Sequence, residues 1–264
     1  MAKNNRIKSS EKKKSAQEIQ EEIYDMEQQK YRQEEERKEA ILKTIKFQPG
    51  IKLKNEKQKE LIKKIHENEI IFVSGSAGTG KTFISLKAAL ECLYQQSEKF
   101  KKILITKPII EAGGESLGFL PGGIDSKIDP YMHSFESNFK DLIGPVQFKT
   151  LMESEIIKTV PLPYMRGNTF KNCIAILDEA QNTTPKGMKL FISRKGGTAK
   201  LIILGDTDQS DLELRKGEIS GLQDAFSRFK DIPKVAFVEF TEDDIVRDDL
   251  LIHVMKRYKS QENK

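Results

Sequence analysis

The sequence predicts an α/β fold, a mainly parallel sheet flanked by helices, with a charged helical extension ahead of it. Three observations carry that expectation. Apolar runs at Ile70–Val73, Lys102–Thr106, Cys173–Leu177, Lys200–Leu204 and Val235–Phe240 are near-continuous, as strands buried on both faces read. Helical patterns separate them, so the strands are joined by crossovers rather than hairpins. Glycine-rich or acidic residues stand directly at the carboxyl ends of several runs, where open α/β sheets bind ligands.

With 264 residues the chain is long enough for one large domain, or a domain plus an appendage, and for a substantial core. Charged residues make up 32% and aromatics 8%, with no tryptophan, which suits a soluble protein carrying a heavily solvated segment. The net charge of +5 permits a nucleic-acid partner without demanding one, because a local patch matters more than the sum. Cys92 and Cys173 read as buried free thiols rather than a disulfide framework. No apolar run approaches a signal or a membrane span, so no membrane partner and a cytoplasmic location are expected.

Residues 1–46 form the extension. They are dense in Glu, Gln, Lys and Arg, with no glycine or proline, and read as a solvated or partly disordered charged helix. Ile19, Ile23 and Met26 make one apolar seam, which Lys30 and Gln33 break, so sustained heptads are absent. Phe47-Gln48-Pro49-Gly50 brings turn chemistry, and the folded domain is placed at 47–264. Asn55 to Ile65 reads as a helix capped by Asn55. On it, Gln58 is either a plain surface glutamine or an amide placed to grip adenine through donor and acceptor together.

The stretch Gly75-Ser76-Ala77-Gly78-Thr79-Gly80-Lys81-Thr82 follows the first strand and opens a helix running to about Gln96. A phosphate chain needs backbone N–H groups at close approach, so residues without Cβ belong at these turns, and the helix start adds its positive end. In that frame Lys81 reaches the β- and γ-phosphates and the Thr82 hydroxyl ligates Mg²⁺. Beyond the second strand, the glycine-rich stretch from Glu111 to Gly123 is long for a connection. Helices are expected over Asp129–Asn138 and Val146–Lys158, then an irregular Val160–Gly167.

The Cys173–Leu177 strand ends in Asp178-Glu179-Ala180-Gln181. An acid there sits at the ligand-binding edge: Asp178 binds Mg²⁺ or its water, and Glu179 orients and deprotonates a water. After a helix over Pro185–Arg194, the next strand closes with Gly205-Asp206-Thr207-Asp208-Gln209, where Gln209 or Asp206 senses a γ-phosphate, or Asp merely caps a turn. Helices are expected over Gly217–Phe229 and Asp244–Tyr258, with Arg247 near the start of the second, where the helix dipole gives a cation no advantage.

Taken with Lys107-Pro108-Ile109-Ile110-Glu111-Ala112-Gly113, Leu117-Gly118-Phe119-Leu120-Pro121-Gly122 and Tyr164-Met165-Arg166-Gly167, these motifs stand in the order found in PhoH-like proteins, which the chain closely resembles from about Phe47 to Tyr258. Those are P-loop ATPases related to superfamily 1 helicases. The resemblance implies a RecA-like core with ATP and Mg²⁺ as cofactors, Lys81 and Thr82 as Walker A, Asp178 and Glu179 as Walker B, and Gln209 as γ-phosphate sensor. It casts Gln58 as the adenine reader, Thr106, Lys107 and Pro108 as a nucleic-acid-contacting segment, and Arg247 as a finger for ATP. Residues 1–46 lie outside it, and a short stand-alone member, as phages carry, would work in the host cytoplasm.

Superfamily 1 motors seat ATP between two lobes, and the chain has residues for one. The missing wall then comes from another copy, which predicts a ring such as a hexamer or another head-to-tail homo-oligomer, with Arg247 or Arg166 acting across the boundary. The leading expectation is an ATPase that remodels or moves along RNA or single-stranded DNA. A small-molecule kinase and a non-enzymatic nucleotide-switch scaffold are the alternatives.

Overall fold

The computed structural model of the chain describes residues 16–108, 135–207 and 218–246. Its strands are β1 (Ile70–Ser74), β2 (Lys102–Thr106), β3 (Ile157–Thr159), β4 (Cys173–Leu177), β5 (Lys200–Gly205) and β6 (Val235–Glu239). They form one six-stranded sheet in the order β3-β2-β4-β5-β1-β6, and every pairing is parallel. All carboxyl ends therefore lie along one edge, and the glycine-rich loop, the acid pair and Gly205-Asp206 come out side by side. The helices are α1 (Ala16–Leu42), α2 (Glu56–Glu67), α3 (Lys81–Gln95), α4 (Pro145–Glu153), α5 (Pro185–Ile192) and α6 (Gly221–Arg228), with a further helical stretch over 135–143.

Strand alternation divides the core between two faces. Ile103, Ile105, Ile174, Ile176, Ile202 and Leu204 pack with Leu61 and Ile65 of α2 and Leu86 and Leu90 of α3. On the other face Leu104, Ala175, Leu177, Leu201 and Ile203 pack with Met188 and Phe191 of α5 and Leu222 and Phe226 of α6. Phe72 anchors that second face, stacked on Phe237 with ring centroids 5.1 Å apart. Continuing the alternation past Leu177 turns Asp178 toward α3, the side from which Thr82 projects.

Two further features position the edge. Asn55 caps α2 by accepting from the Gln58 N–H at 2.9 Å. At the other end of α2, the buried Lys200 ammonium donates to the carbonyls of Ile65 and Asn68, and to that of His66 at 3.5 Å. These are carbonyls that a helix end leaves without intrahelical donors, so β5 itself closes α2.

The sequence places the start of the folded domain at Phe47, and packing adds detail there: Leu42 and Ile45 are already buried in the α2/α3-side core. Gln147 of α4 holds this junction, accepting from Lys46 N–H at 3.0 Å and donating to the Thr44 carbonyl at 2.8 Å. The earlier seam residues Ile19, Ile23 and Met26 are exposed. Among the described residues no helix is long and apolar enough to cross a membrane.

The structure departs from the sequence reading at several elements. The helix expected over Val146–Lys158 stops at Glu153, and Ile157–Thr159 becomes a sixth strand on the sheet edge. Glu155 adopts a left-handed φ of 54°, which reverses the chain so that Ile156 N–H bonds back to Leu151 at 2.9 Å and its carbonyl receives Ile103 N–H. The helix expected from Gly217 starts at Gly221, because Ser220 and Gln223 form a reciprocal capping box there. Glu242–Asp244 is a 3₁₀ turn, and Ile245 and Val246 are not helical, so the closing helix does not begin at Asp244. The remainder of that helix, the Glu111–Gly123 stretch, Gln209 and Arg247 lie outside the described residues. Cys92 and Cys173 are buried and free, as expected.

Candidate functional site

The loop after β1 is built around glycine for two reasons. Gly75 has a φ of 149°, and a Cβ there would lie 2.6 Å from Phe240 Cβ and 2.8 Å from its carbonyl oxygen. Any side chain would push β6 off the loop. Gly80, at φ 83°, precedes α3 as its N-cap with no side-chain capping bond. The first-turn N–H groups of α3 are therefore not capped by a side chain, the arrangement that receives a phosphate oxygen. Thr79 stiffens the loop, its buried hydroxyl donating to the Ser76 carbonyl at 3.0 Å. The Lys81 ammonium curls onto the carbonyls of Gly75 and, at 3.0 Å, Ser76.

Opposite the loop stands Asp178, only 6% exposed. The Thr82 hydroxyl lies 3.4 and 3.3 Å from its two carboxylate oxygens. Lys107 Nζ approaches the same carboxylate at 3.9 Å while lying 4.9 Å from the Phe135 ring centroid. Burial pushes the Asp178 carboxyl up to about 6, with the Lys107 charge opposing the rise and the Glu179 charge adding to it. Glu179 itself is exposed, in a left-handed conformation with φ 54°. Its carboxylate accepts from Gln181 Nε2 at 2.8 Å, and Gln181 Oε1 accepts from the Asp206 N–H at 3.1 Å. Gly205 leaves room for that bridge, since a Cβ there would sit 2.6 Å from Gln181 Oε1.

Loop and acids enclose a cleft of about 580 Å³, whose walls include Gly78, Gly80, Lys81, Thr82, Asp178 and Glu179. A hard cation fits the donor set. One hydroxyl and one carboxylate, with no nitrogen or sulfur, suit Mg²⁺, although at 3.4 and 3.3 Å the oxygens stand wider than the roughly 3.0 Å between adjacent octahedral ligands about 2.1 Å from the ion. Among the described residues no cluster of three or more His, Cys, Asp or Glu forms a metal cage, so the remaining ligands would be water and phosphate.

The other residues singled out from the sequence fall differently. Gln58 lines the cleft but is 2% exposed, and both ends of its amide bond the protein. Thr106 is fully buried with no partner for its hydroxyl, and Pro108 is buried beside it. The Thr106 carbonyl accepts from the Asp178 N–H at 3.0 Å, so this segment is joined to Asp178 instead of opening onto the surface. Asp206 lines the cleft and is buried. Arg166 is exposed, just past a 3₁₀ turn (Leu162–Met165), and does not line the cleft. Gln181 carries a role that the sequence reading does not give it. It bonds both Glu179, two residues back, and the Asp206 N–H, 25 residues on, and no local spacing encodes the second.

A profile of the family described as PhoH-like protein matches residues 50–259. A PhoH-like protein of Bacillus subtilis (strain 168) is 41% identical over 223 residues, covering 84% of this chain and 68% of the relative. One from Synechocystis sp. is 37% identical over 233 residues, 87% of this chain and 70% of the relative. Protein PhoH of Escherichia coli (strain K12) is 38% identical over 207 residues, 78% of this chain but only 57% of the relative. Among solved structures, the large terminase of a thermophilic bacteriophage in complex with ADP is similar at TM-score 0.40 and 12% identity, over 77% of this chain and 48% of that one. Bacteroides sp Pif1 in complex with ADP-AlF4 is similar at 0.35 and 20%, over 78% and 46%. Those structural likenesses are too distant to bear on chemistry. The profile match and the sequence identities, both spanning the loop and the acid pair, establish that the chain belongs to the PhoH-like family.

Proposed function

We propose that this chain is a Mg²⁺-dependent ATPase whose turnover is coupled to RNA or single-stranded DNA and which works as a homo-oligomer. The observation that carries the reading is the convergence of Lys81, Thr82, Asp178 and Glu179 on one cleft at the carboxyl edge of the sheet. The loop N–H groups and the first turn of α3 bind the phosphate chain. Lys81 exchanges its loop carbonyls for phosphate oxygens and offsets charge developing in the transition state. Mg²⁺, held by Thr82 and Asp178, would neutralise the β- and γ-phosphates. Glu179, exposed at the mouth and oriented by Gln181, positions a water and accepts its proton. A carboxylate facing solvent favours attack by water over transfer to a shielded acceptor, which sets this reading ahead of a small-molecule kinase.

Gln209 is assigned as γ-phosphate sensor, and Arg247 or Arg166 as the cation supplied by a neighbouring copy, on the motifs of the PhoH-like family. The exposure of Glu179 supports a site completed from outside the chain. Polymer contact is assigned to Thr106–Pro108. Its bond and ion pair to Asp178 give a contact there a direct route to the metal-binding acid, although its burial requires the polymer to displace what covers it.

The test is phosphate release from ATP with no polymer, with single-stranded RNA and with single-stranded DNA, beside Lys81→Ala. The proposal expects stimulation by one polymer and loss of all turnover in Lys81→Ala. Absence of release in every arm overturns the ATPase, and equal release in every arm overturns the coupling.

A further inference from the structure

The amide of Gln58 is already committed. Its Oε1 accepts from the Lys54 N–H at 2.8 Å, its Nε2 donates to the Thr79 carbonyl at 3.1 Å, and the residue is 2% exposed. A primary amide retains a second N–H and a second lone pair, but at 2% exposure little of the residue is open to a ligand. The other end of the contact is the phosphate loop. Thr79 lies within it, and Gly80, at φ 83°, passes so close that a Cβ would stand 3.0 Å from Gln58 Nε2. The same corner is fastened twice more: Val246 N–H donates to the Gly78 carbonyl at 3.0 Å, and Asn55 Nδ2 donates to the Asp244 carbonyl at 3.2 Å.

Other polar side chains line the cleft as well, the amides of Asn138 and Gln181 among them. Lys52 and Lys54 offer donors, while Phe83 and Val246 offer apolar surface. Both purines present acceptor edges, adenine through N7 and guanine through N7 and O6, so ammonium donors do not separate them.

We infer that Gln58 is a positioning residue of the phosphate loop and not the adenine reader, so that any preference for the base does not run through its amide. The inference rests on reading the cleft as a nucleotide site. Its mechanism is rigidity: the amide holds Thr79 and Gly80 in the conformation that aims the following N–H groups into the cleft. Removing it weakens every ligand that carries a triphosphate, including one with no base.

The experiment compares wild type, Gln58→Ala and the similarly shaped Gln58→Met. It measures inorganic tripolyphosphate as a competitor of a fluorescent nucleotide, and kcat/KM for ATP and GTP. We expect both variants to lose roughly tenfold in tripolyphosphate affinity, the equivalent of about one hydrogen bond. The ATP-to-GTP ratio stays unchanged. Gln58→Met separates loop positioning from loss of packing volume. A wild-type preference for ATP that collapses in Gln58→Met, with tripolyphosphate affinity intact, overturns the inference and leaves the ATPase reading standing. A wild type that binds neither tripolyphosphate nor nucleotide overturns both.

Discussion

Glu179 sits at a φ of 54°, a conformation that costs a residue with a side chain of order 1–3 kcal/mol and persists only where its surroundings impose it. Here Asp178 accepts the Glu179 N–H at 3.0 Å and Gln181 holds the carboxylate. Glu179→Gln is expected to keep ATP affinity and lower kcat by about 10²–10⁴, the usual worth of a general base, as measured by equilibrium binding beside phosphate release. Asp178 gives a pH signature. Its carboxyl is raised from 3.8 to about 6, so the fold binds this proton more tightly than the unfolded chain does. Stability of the nucleotide-free protein should then fall as pH rises through that window, by roughly 3 kcal/mol in all. Thermal melts from pH 4 to 8 should show Asp178→Asn losing this slope and melting higher than wild type at pH 8. Lys81, Thr82, Asp178 and Glu179 were legible in the sequence because their chemistry is local, each fixed by a strand end and a short motif. The bridge from Gln181 to Asp206 and the bond from Gln58 to Thr79 were not, since those partners lie 25 and 21 residues away and only folding brings them together.

At the scale of elements, the buried strands could be read from continuous apolar runs, and Asn55 correctly marked the start of α2. β3 could not. It is three residues long, follows a helix after three intervening residues, and owes its existence to the left-handed turn at Glu155 and to the open edge of β2. The lysine that closes α2 was equally hidden, because Lys200 opens an apolar run and reads as its solvated end. Its burial lowers the lysine's affinity for a proton, yet the carbonyls of Ile65, His66 and Asn68 hold the ammonium. Lys200→Met would leave these acceptors short of a donor. Urea unfolding is expected to show a loss of about 1–3 kcal/mol with an unchanged m-value. A stability change near zero would mean that water satisfies the helix end.

For the molecule as a whole, the parallel sheet brings the loop of β1, the acids after β4 and the Gly205-Asp206 corner to one edge, and a single described lobe carries them. If a neighbouring copy completes the site, Lys81→Ala and Arg247→Ala subunits, each inactive alone, should regain turnover when mixed, because some interfaces pair an intact loop with an intact arginine. Activity of the mixture no higher than that of either variant would place the arginine in its own subunit or outside the reaction.

The most direct measurement is a structure determined with Mg²⁺ and a non-hydrolysable ATP analogue. The account predicts the triphosphate against Gly75–Thr82, Lys81 on its terminal phosphates, the cation between Thr82 and Asp178, and Glu179 facing the γ-phosphate. A triphosphate bound elsewhere, or one seated here with Glu179 turned away from it, would contradict the account.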